Sequence, residues 1–114
     1  MGFLTTHVLD TAHGTPARGM ALRLETGDGQ VLGEFITNDD GRCDGPILPE
    51  GQFAVGRYRL IFKVGAYFRG QGVQLPDPAF LEDVALDFGI ADPADHYHVP
   101  LLVSPYGYST YRGS

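Results

Sequence analysis

The sequence predicts an all-β sandwich of seven or eight short strands. Sixteen Gly and eight Pro are spread along the 114 residues in small groups, so they interrupt every potential long helix and leave short apolar runs between them. Apolar and polar side chains alternate within those runs, as in a strand with one buried face. Because 43% of the residues are hydrophobic, the chain can bury one apolar core, and a single domain over residues 1–114 is expected.

The first strand is predicted at residues 3–9, a run rich in Thr and β-branched side chains that ends before Gly14 and Pro16. A period of two puts alternate side chains on opposite faces. One face holds Leu4, Thr6 and Val8, and the other holds Phe3, Thr5, His7 and Leu9. If the first set packs on the core, His7 points outward.

The remaining strands are predicted by the same alternation between turn residues. In chain order they are 20–26 and 30–38, joined into a hairpin by the turn 27–29, then 58–64, 84–90, 96–104 and 108–112, the last two joined by the turn 105–107. Residues 44–52 hold two prolines and two glycines, which predict a loop or a short edge strand. The stretch 66–72 is the only plausible place for a helix, and its glycines limit that helix to a turn or two.

The charge balance and the cysteine count exclude several classes of function. Fourteen Asp and Glu oppose eight Lys and Arg, so the chain lacks the positive surface that a phosphate backbone requires, and no nucleic acid partner is expected. No stretch approaches the roughly 18 apolar residues of a spanning helix, so no membrane partner is expected either. The single Cys43 cannot form an internal disulfide, which favours a reduced, cytoplasmic setting.

Four histidines are the informative feature of a chain that is short of nucleophiles. His96 and His98 lie two residues apart on one predicted strand, so they share its outward face, and His7 is also predicted to point outward. If the first and last two strands belong to one sheet, the neighbours of these histidines are uncharged: Thr5, Pro100, Ser109 and Tyr111. Such a face is more often covered by another subunit than left in solvent. A covered histidine can act as a general base near neutral pH.

Simpler alternatives apply to each of these residues. Any of the histidines could be solvated, and His13, in a loop beside Gly14, is interpreted in that way. The His-x-His pair could ligate zinc or copper, but His7 or Cys43 would have to converge on it from far along the chain. Arg42 follows a tight Asp-Asp-Gly turn and could form two parallel hydrogen bonds with a planar, oxygen-rich ligand, or it could be a surface arginine. No nucleophile elbow occurs, so a Ser-His-Asp triad is not favoured. No phosphate-binding loop occurs, so no nucleotide cofactor is implied.

Segments at both ends of the chain carry a more specific signal. They are 4–10 (LTTHVLD), 14–17 (GTPA), 96–102 (HYHVPLL), 104–105 (SP) and 108–114 (YSTYRGS). In these segments the chain resembles the 5-hydroxyisourate hydrolase family, the transthyretin-related enzymes of urate breakdown. The terminal Tyr-Arg-Gly-Ser is the most specific part, because hormone-carrying transthyretins share the fold but lack this tetrapeptide and the strand-borne histidines.

The resemblance implies an eight-stranded Greek-key β-sandwich of transthyretin type with one short helix. It implies a homotetramer with active sites at the dimer-dimer interface, and hydrolysis of 5-hydroxyisourate to 2-oxo-4-hydroxy-4-carboxy-5-ureidoimidazoline without cofactor or metal. The family's functional positions fall on His7, Arg42, His98, Tyr111 and Ser114. His96, Cys43 and His13 are not carried over.

A mechanism follows as a hypothesis. A neutral His7 or His98 activates a water for attack on the ring carbonyl, and the sequence leaves open which of them is the base. Arg42 holds the substrate oxygens and offsets the charge of the tetrahedral intermediate. Tyr111 packs on or hydrogen-bonds the planar ring, and the hydroxyl or carboxylate of Ser114 fixes a histidine tautomer. The alternative is a non-catalytic transthyretin-like small-molecule binding protein, which would retain a planar ligand unchanged.

Overall fold

Eight strands and one helix are found in the part of the chain that the computed structural model describes, residues 2–48 and 51–113. In chain order they are β1 (Phe3–Asp10), β2 (Thr15–Pro16), β3 (Ala21–Thr26), β4 (Val31–Ile36), β5 (Gly56–Phe62), α1 (Val64–Gly70), β6 (Val84–Ile90), β7 (His96–Ser104) and β8 (Gly107–Thr110). The predicted eight-stranded sandwich with one short helix is confirmed. No helix among the described residues is long and apolar enough to cross a membrane.

The strands form two four-stranded sheets, with the order β2-β1-β7-β8 in one and β4-β3-β5-β6 in the other. The first and last two strands therefore share a sheet, as predicted. The pair of β1 and β7 is parallel, and its register places Thr5 opposite His98 and Phe3 opposite His96. Since β1 and β7 come from opposite ends of the chain, this pairing brings the two ends of the sequence into contact.

The core lies between the sheets and follows the predicted alternation. Leu4, Thr6 and Val8 of β1 are buried, and so are Tyr97, Val99, Leu101 and Val103 of β7. On the outward face of the same strands, His7, His96 and His98 are only partly buried. Burial of one Leu or Val side chain stabilises the folded state by about 1.5–3 kcal/mol. The inward side chains therefore hold in place the strands that carry the outward ones.

Three elements depart from the prediction near the middle and the start of the chain. The strand predicted at 58–64 is β5, which begins at Gly56 and ends at Phe62, because Val64 already belongs to the helix. The helix begins at Val64, two residues earlier than expected, because Val64, Tyr67 and Phe68 together bury one helical face in the core. The strand β2 was not predicted. It spans two residues at the edge of the sheet. Pro16 has no backbone N–H to donate, and proline is tolerated in an edge strand for that reason.

The C-terminal strand also differs from the expected 108–112, because β8 ends at Thr110. The chain then leaves the sheet at Tyr111 and Arg112 and returns at Gly113, whose N–H donates to the carbonyl oxygen of His98 at 2.8 Å. The pairing of Leu101 with Thr110 and that of His98 with Gly113 belong to the same register.

A buried carboxylate fastens α1 to the end of β1. The side chain of Asp10 is fully buried and accepts hydrogen bonds from the Tyr67 hydroxyl (2.8 Å), His13 Nδ1 (2.6 Å) and the backbone N–H groups of Ala12 and His13 (both 3.0 Å). Burial raises the pKa of Asp10, but the hydrogen bonds outweigh it and the net pKa is lowered. His13 is thus partly exposed, as interpreted from the sequence, but also holds this carboxylate.

Candidate active site

The outward face of β1 and β7 meets the loop after β4 in a cleft of about 340 Å³. Strand residues and loop residues line it together: Thr5, Thr6, Arg42, Cys43, Gly45, His96 and His98. Two of the positions that the sequence singled out, His98 and Arg42, therefore share one cleft within a single chain. Thr5 and His96 share it with them, although neither was assigned a function from the sequence.

A tight turn carries Arg42 to the cleft. Gly41 has a φ of +76°, a left-handed conformation that glycine adopts without strain, and a Cβ at this position would collide with the carbonyl oxygen of Val8. Instead, the Val8 N–H donates to the carbonyl oxygen of Gly41 at 2.8 Å. The side-chain oxygen of Asn38 accepts the N–H groups of Asp40 and Arg42 at 2.9 and 3.1 Å. The backbone of Arg42 is therefore fixed against β1.

His7 lies next to Arg42, and the two backbones form an isolated antiparallel bridge. The Nε2 atom of His7 lies 2.8 Å from the carbonyl oxygen of Asp40. A carbonyl oxygen only accepts, so Nε2 carries the proton and donates, and Nδ1 is the unprotonated nitrogen when the ring is neutral. His7 is not part of the cleft lining.

One hydroxyl joins the two histidines of β7. The Oγ1 atom of Thr5 lies 2.8 Å from Nδ1 of His98 and 2.8 Å from Nε2 of His96. The His96 ring stacks on Phe3 with a centroid distance of 4.1 Å and an interplanar angle of 20°. The spacing of His96 and His98 was visible in the sequence, but the hydroxyl between them depends on the register of β1 against β7.

The C-terminal tail packs against the Cδ2 edge of the His98 ring. A Cβ at position 113 would lie 2.5 Å from Cδ2 of the His98 ring, so only glycine lets the backbone approach this closely. Arg112 anchors the same segment, with its guanidinium 4.1 Å from the centre of the Tyr97 ring and donating to the carbonyl oxygen of His96 at 3.2 Å.

The electrostatics of the cleft favour an uncharged His98. Burial lowers its pKa below the usual 6.5, and the positive charge of Arg42 and the neighbouring imidazoles of His96 and His7 lower it further. A hydrogen bond with the Thr5 backbone has a smaller, opposing effect on this pKa. His98 is therefore neutral at neutral pH, the state that a general base requires. Burial raises the pKa of Cys43 to about 11, so this thiol is protonated and a poor nucleophile.

The structure does not bring Tyr111 to this cleft. Its side chain is 60% exposed and lines a separate pocket of about 380 Å³ between β6 and β8, together with Phe88 and Tyr97. Ser114 lies outside the described residues. Among residues 2–48 and 51–113, no three His, Cys, Asp or Glu side chains lie close enough together to hold a metal ion.

Comparison with known proteins gives a consistent result. The sequence matches the profile of the HIUase/Transthyretin family over residues 4–113. It is 57% identical to a 5-hydroxyisourate hydrolase of Pseudomonas aeruginosa, with 100% of this chain and 93% of that protein covered. It is 60% identical to 5-hydroxyisourate hydrolase 2 of Rhizobium meliloti, with 99% and 97% covered.

Solved structures show the same fold. The 5-hydroxyisourate hydrolase of Klebsiella pneumoniae superposes with a TM-score of 0.85 at 37% identity, and the match covers 100% of both chains. A transthyretin from Sparus aurata superposes with a TM-score of 0.84 at 30% identity, covering 96% of this chain and 95% of that one. An (S)-allantoin synthase gives 0.93 at 50% identity, but this chain spans only 44% of that longer protein, with 99% of its own length matched.

Proposed function

This chain belongs to the HIUase/Transthyretin family and hydrolyses 5-hydroxyisourate in urate degradation, and we propose that the reaction takes place in the cleft that His98, Arg42 and Thr5 line. The observation that carries this proposal is the convergence of a neutral imidazole and a guanidinium, far apart in the sequence, on one concave surface. The alternative of a non-catalytic binding protein is not favoured, because the relatives at 57% and 60% identity are hydrolases.

His98 is the general base in the proposed mechanism. Its Nδ1 is directed at Thr5, so Nε2, on the far side of the ring, takes a proton from the attacking water. The water oxygen bonds to the ring carbonyl carbon, and the carbonyl electron pair moves onto its oxygen. When this intermediate collapses, the carbon–nitrogen bond of the ring breaks and the imidazolium returns the proton to the leaving nitrogen. The product is a carboxylic acid, which releases its proton to solvent and becomes a carboxylate.

Arg42 stabilises the charge that develops on the carbonyl oxygen. The hydrogen bonds of its turn fix its backbone against β1, and the guanidinium is presented to the cleft in which the carbonyl oxygen develops its charge. His7 stands beside Arg42 and contributes to substrate binding. We assign the role of base to His98 rather than to His7 because His98 lines the cleft and His7 does not.

The proposal includes a homotetramer of single-domain chains over residues 1–114, with active sites where dimers meet. The cleft opens on the outward face of β1 and β7, where a second copy would remove it from water and strengthen its electrostatic interactions. Tyr111 and Ser114 complete the site by contacting the planar ring and a histidine. Because Tyr111 of one chain lies at a separate pocket, its contact with substrate depends on this assembly.

Replacement of His98 by Asn tests the proposal. The loss of ultraviolet absorbance of 5-hydroxyisourate is expected to slow by about 10²–10⁴-fold, the usual contribution of a positioned base. His13→Asn is the matched control, because it makes the same change outside the cleft and is expected to keep the wild-type rate. Circular dichroism confirms that each variant is folded. A wild-type rate in folded His98→Asn would reject this site.

A further inference from the structure

We propose that Thr5 and His96 are positioning residues that hold His98 in the tautomer with a proton on Nδ1 and a free Nε2. The inference rests on the proposed role of His98 as the base and adds two residues that neither the sequence motifs nor the comparisons assign. Its basis is one hydroxyl oxygen placed 2.8 Å from a ring nitrogen of each histidine.

The hydrogen-bonding capacity of a hydroxyl restricts the tautomers. Thr5 Oγ1 has one proton to donate, so at most one of the two facing nitrogens can be an acceptor and the other must carry a proton. When the Thr5 proton is donated to Nε2 of His96, Nδ1 of His98 has to donate to Thr5. The lone pair of His98 is then on Nε2, where the attacking water needs it.

His96 is held so that it can accept this proton. Its ring lies against Phe3 at 4.1 Å between centroids, because the parallel register places the two residues opposite each other. The Arg112 guanidinium also donates to the carbonyl oxygen of His96. The stack turns the Nε2 edge of the His96 ring toward Thr5, so His96 with an unprotonated Nε2 is the partner that selects the productive form of His98.

Loss of the hydrogen-bond acceptor at position 96 should allow His98 to adopt the tautomer that is protonated on Nε2. Without an acceptor at position 96, the Thr5 proton is free to turn to Nδ1 of His98, and the His98 proton then moves to Nε2. Within the described part of the chain, Thr5 Oγ1 is the side-chain partner of Nδ1 of His98, and the Thr5 backbone also forms a hydrogen bond with the His98 imidazole.

Two pairs of variants separate this role from a packing role. His96→Phe keeps an aromatic ring on Phe3 but removes the acceptor, whereas His96→Gln restores an oxygen at a similar reach. Thr5→Val removes the hydroxyl, whereas Thr5→Ser keeps it. We expect kcat to fall about 10- to 100-fold in His96→Phe and Thr5→Val, as when the second hydrogen-bond partner of a metal-bound histidine is removed. KM should change little, and the Gln and Ser variants should recover most of the rate.

The decisive readout is the ¹⁵N chemical shift of the His98 imidazole in the full-length protein. In the wild type, Nδ1 should show the shift of a protonated nitrogen and Nε2 that of an unprotonated one at neutral pH. In Thr5→Val and His96→Phe both shifts should move toward averaged values. An unprotonated Nδ1 in the wild type, or unchanged His98 shifts in both variants, would overturn the inference.

The His98→Asn variant keeps the two proposals distinguishable. If it retains wild-type turnover, the proposed site itself fails. If it loses turnover while the Thr5 and His96 variants leave kcat and the His98 shifts unchanged, the site stands and only the positioning role is wrong.

Discussion

Substitution of Gly113 by Ala should impair catalysis by displacing His98. The added methyl carbon would lie 2.5 Å from Cδ2 of the His98 ring, 3.2 Å from Cγ and 3.3 Å from Cβ. Carbon atoms pack at about 3.5–4.0 Å, so the ring or the tail has to move by about 1 Å. A displacement of that size at a reacting group costs about 10²-fold in rate. We therefore expect kcat for 5-hydroxyisourate hydrolysis to fall by about two orders of magnitude.

Gly107→Ala is the matched control for this experiment. It lies on β8 in the same hairpin, and the nearest atom to its added Cβ would be Ser104 Oγ at 3.9 Å, an ordinary contact. Turnover is followed by the ultraviolet absorbance of the substrate, and circular dichroism checks that both variants fold. Wild-type turnover in Gly113→Ala, together with unchanged imidazole resonances of His98, would show that the tail backbone does not confine the ring.

Four further predictions concern charge, stability and reactivity. Replacing Arg42 by Gln removes a positive charge that lowers the pKa of His98, so this pKa should rise. The acid limb of the pH profile of kcat/KM should then move to higher pH. A shift to lower pH would contradict the role of His98 as the base. Tyr67→Phe removes a hydrogen bond to the buried Asp10 carboxylate and should lower the free energy of unfolding in urea by about 1–3 kcal/mol, and an unchanged midpoint would show that the contact contributes nothing. Folding lowers the pKa of Asp10, so the ionised carboxylate stabilises the folded state above the pKa of the unfolded chain, near 3.8. This stabilisation is lost as the pH falls through the lower pKa of the folded state. Asp10→Asn should therefore flatten the dependence of the free energy of unfolding on pH in this acid range. Because the pKa of Cys43 is raised to about 11, alkylation by iodoacetamide at pH 8 should be far slower in the native protein than in urea, and equal rates would show an exposed thiolate.

The sequence by itself determined most of the strands and their buried faces. The alternation of Leu4, Thr6 and Val8 identified the inward face of β1, and the two-residue spacing of His96 and His98 put both on the outward face of β7. The Asp-Asp-Gly turn before Arg42 was equally readable, because a left-handed glycine at position 41 is a local requirement. Side-chain period and turn chemistry depend on neighbours a few residues away, so one sequence is enough to predict them.

Only the tertiary structure decided which of these side chains meet. The parallel register of β1 and β7 set the Thr5 hydroxyl between two histidines more than ninety positions further along the chain, and the returning tail set Gly113 against the His98 ring. The same packing separated Tyr111 from the cleft of its own chain. A local pattern cannot encode such contacts, because a shift of one residue in register would keep every strand recognisable in the sequence and turn its side chains to the opposite face.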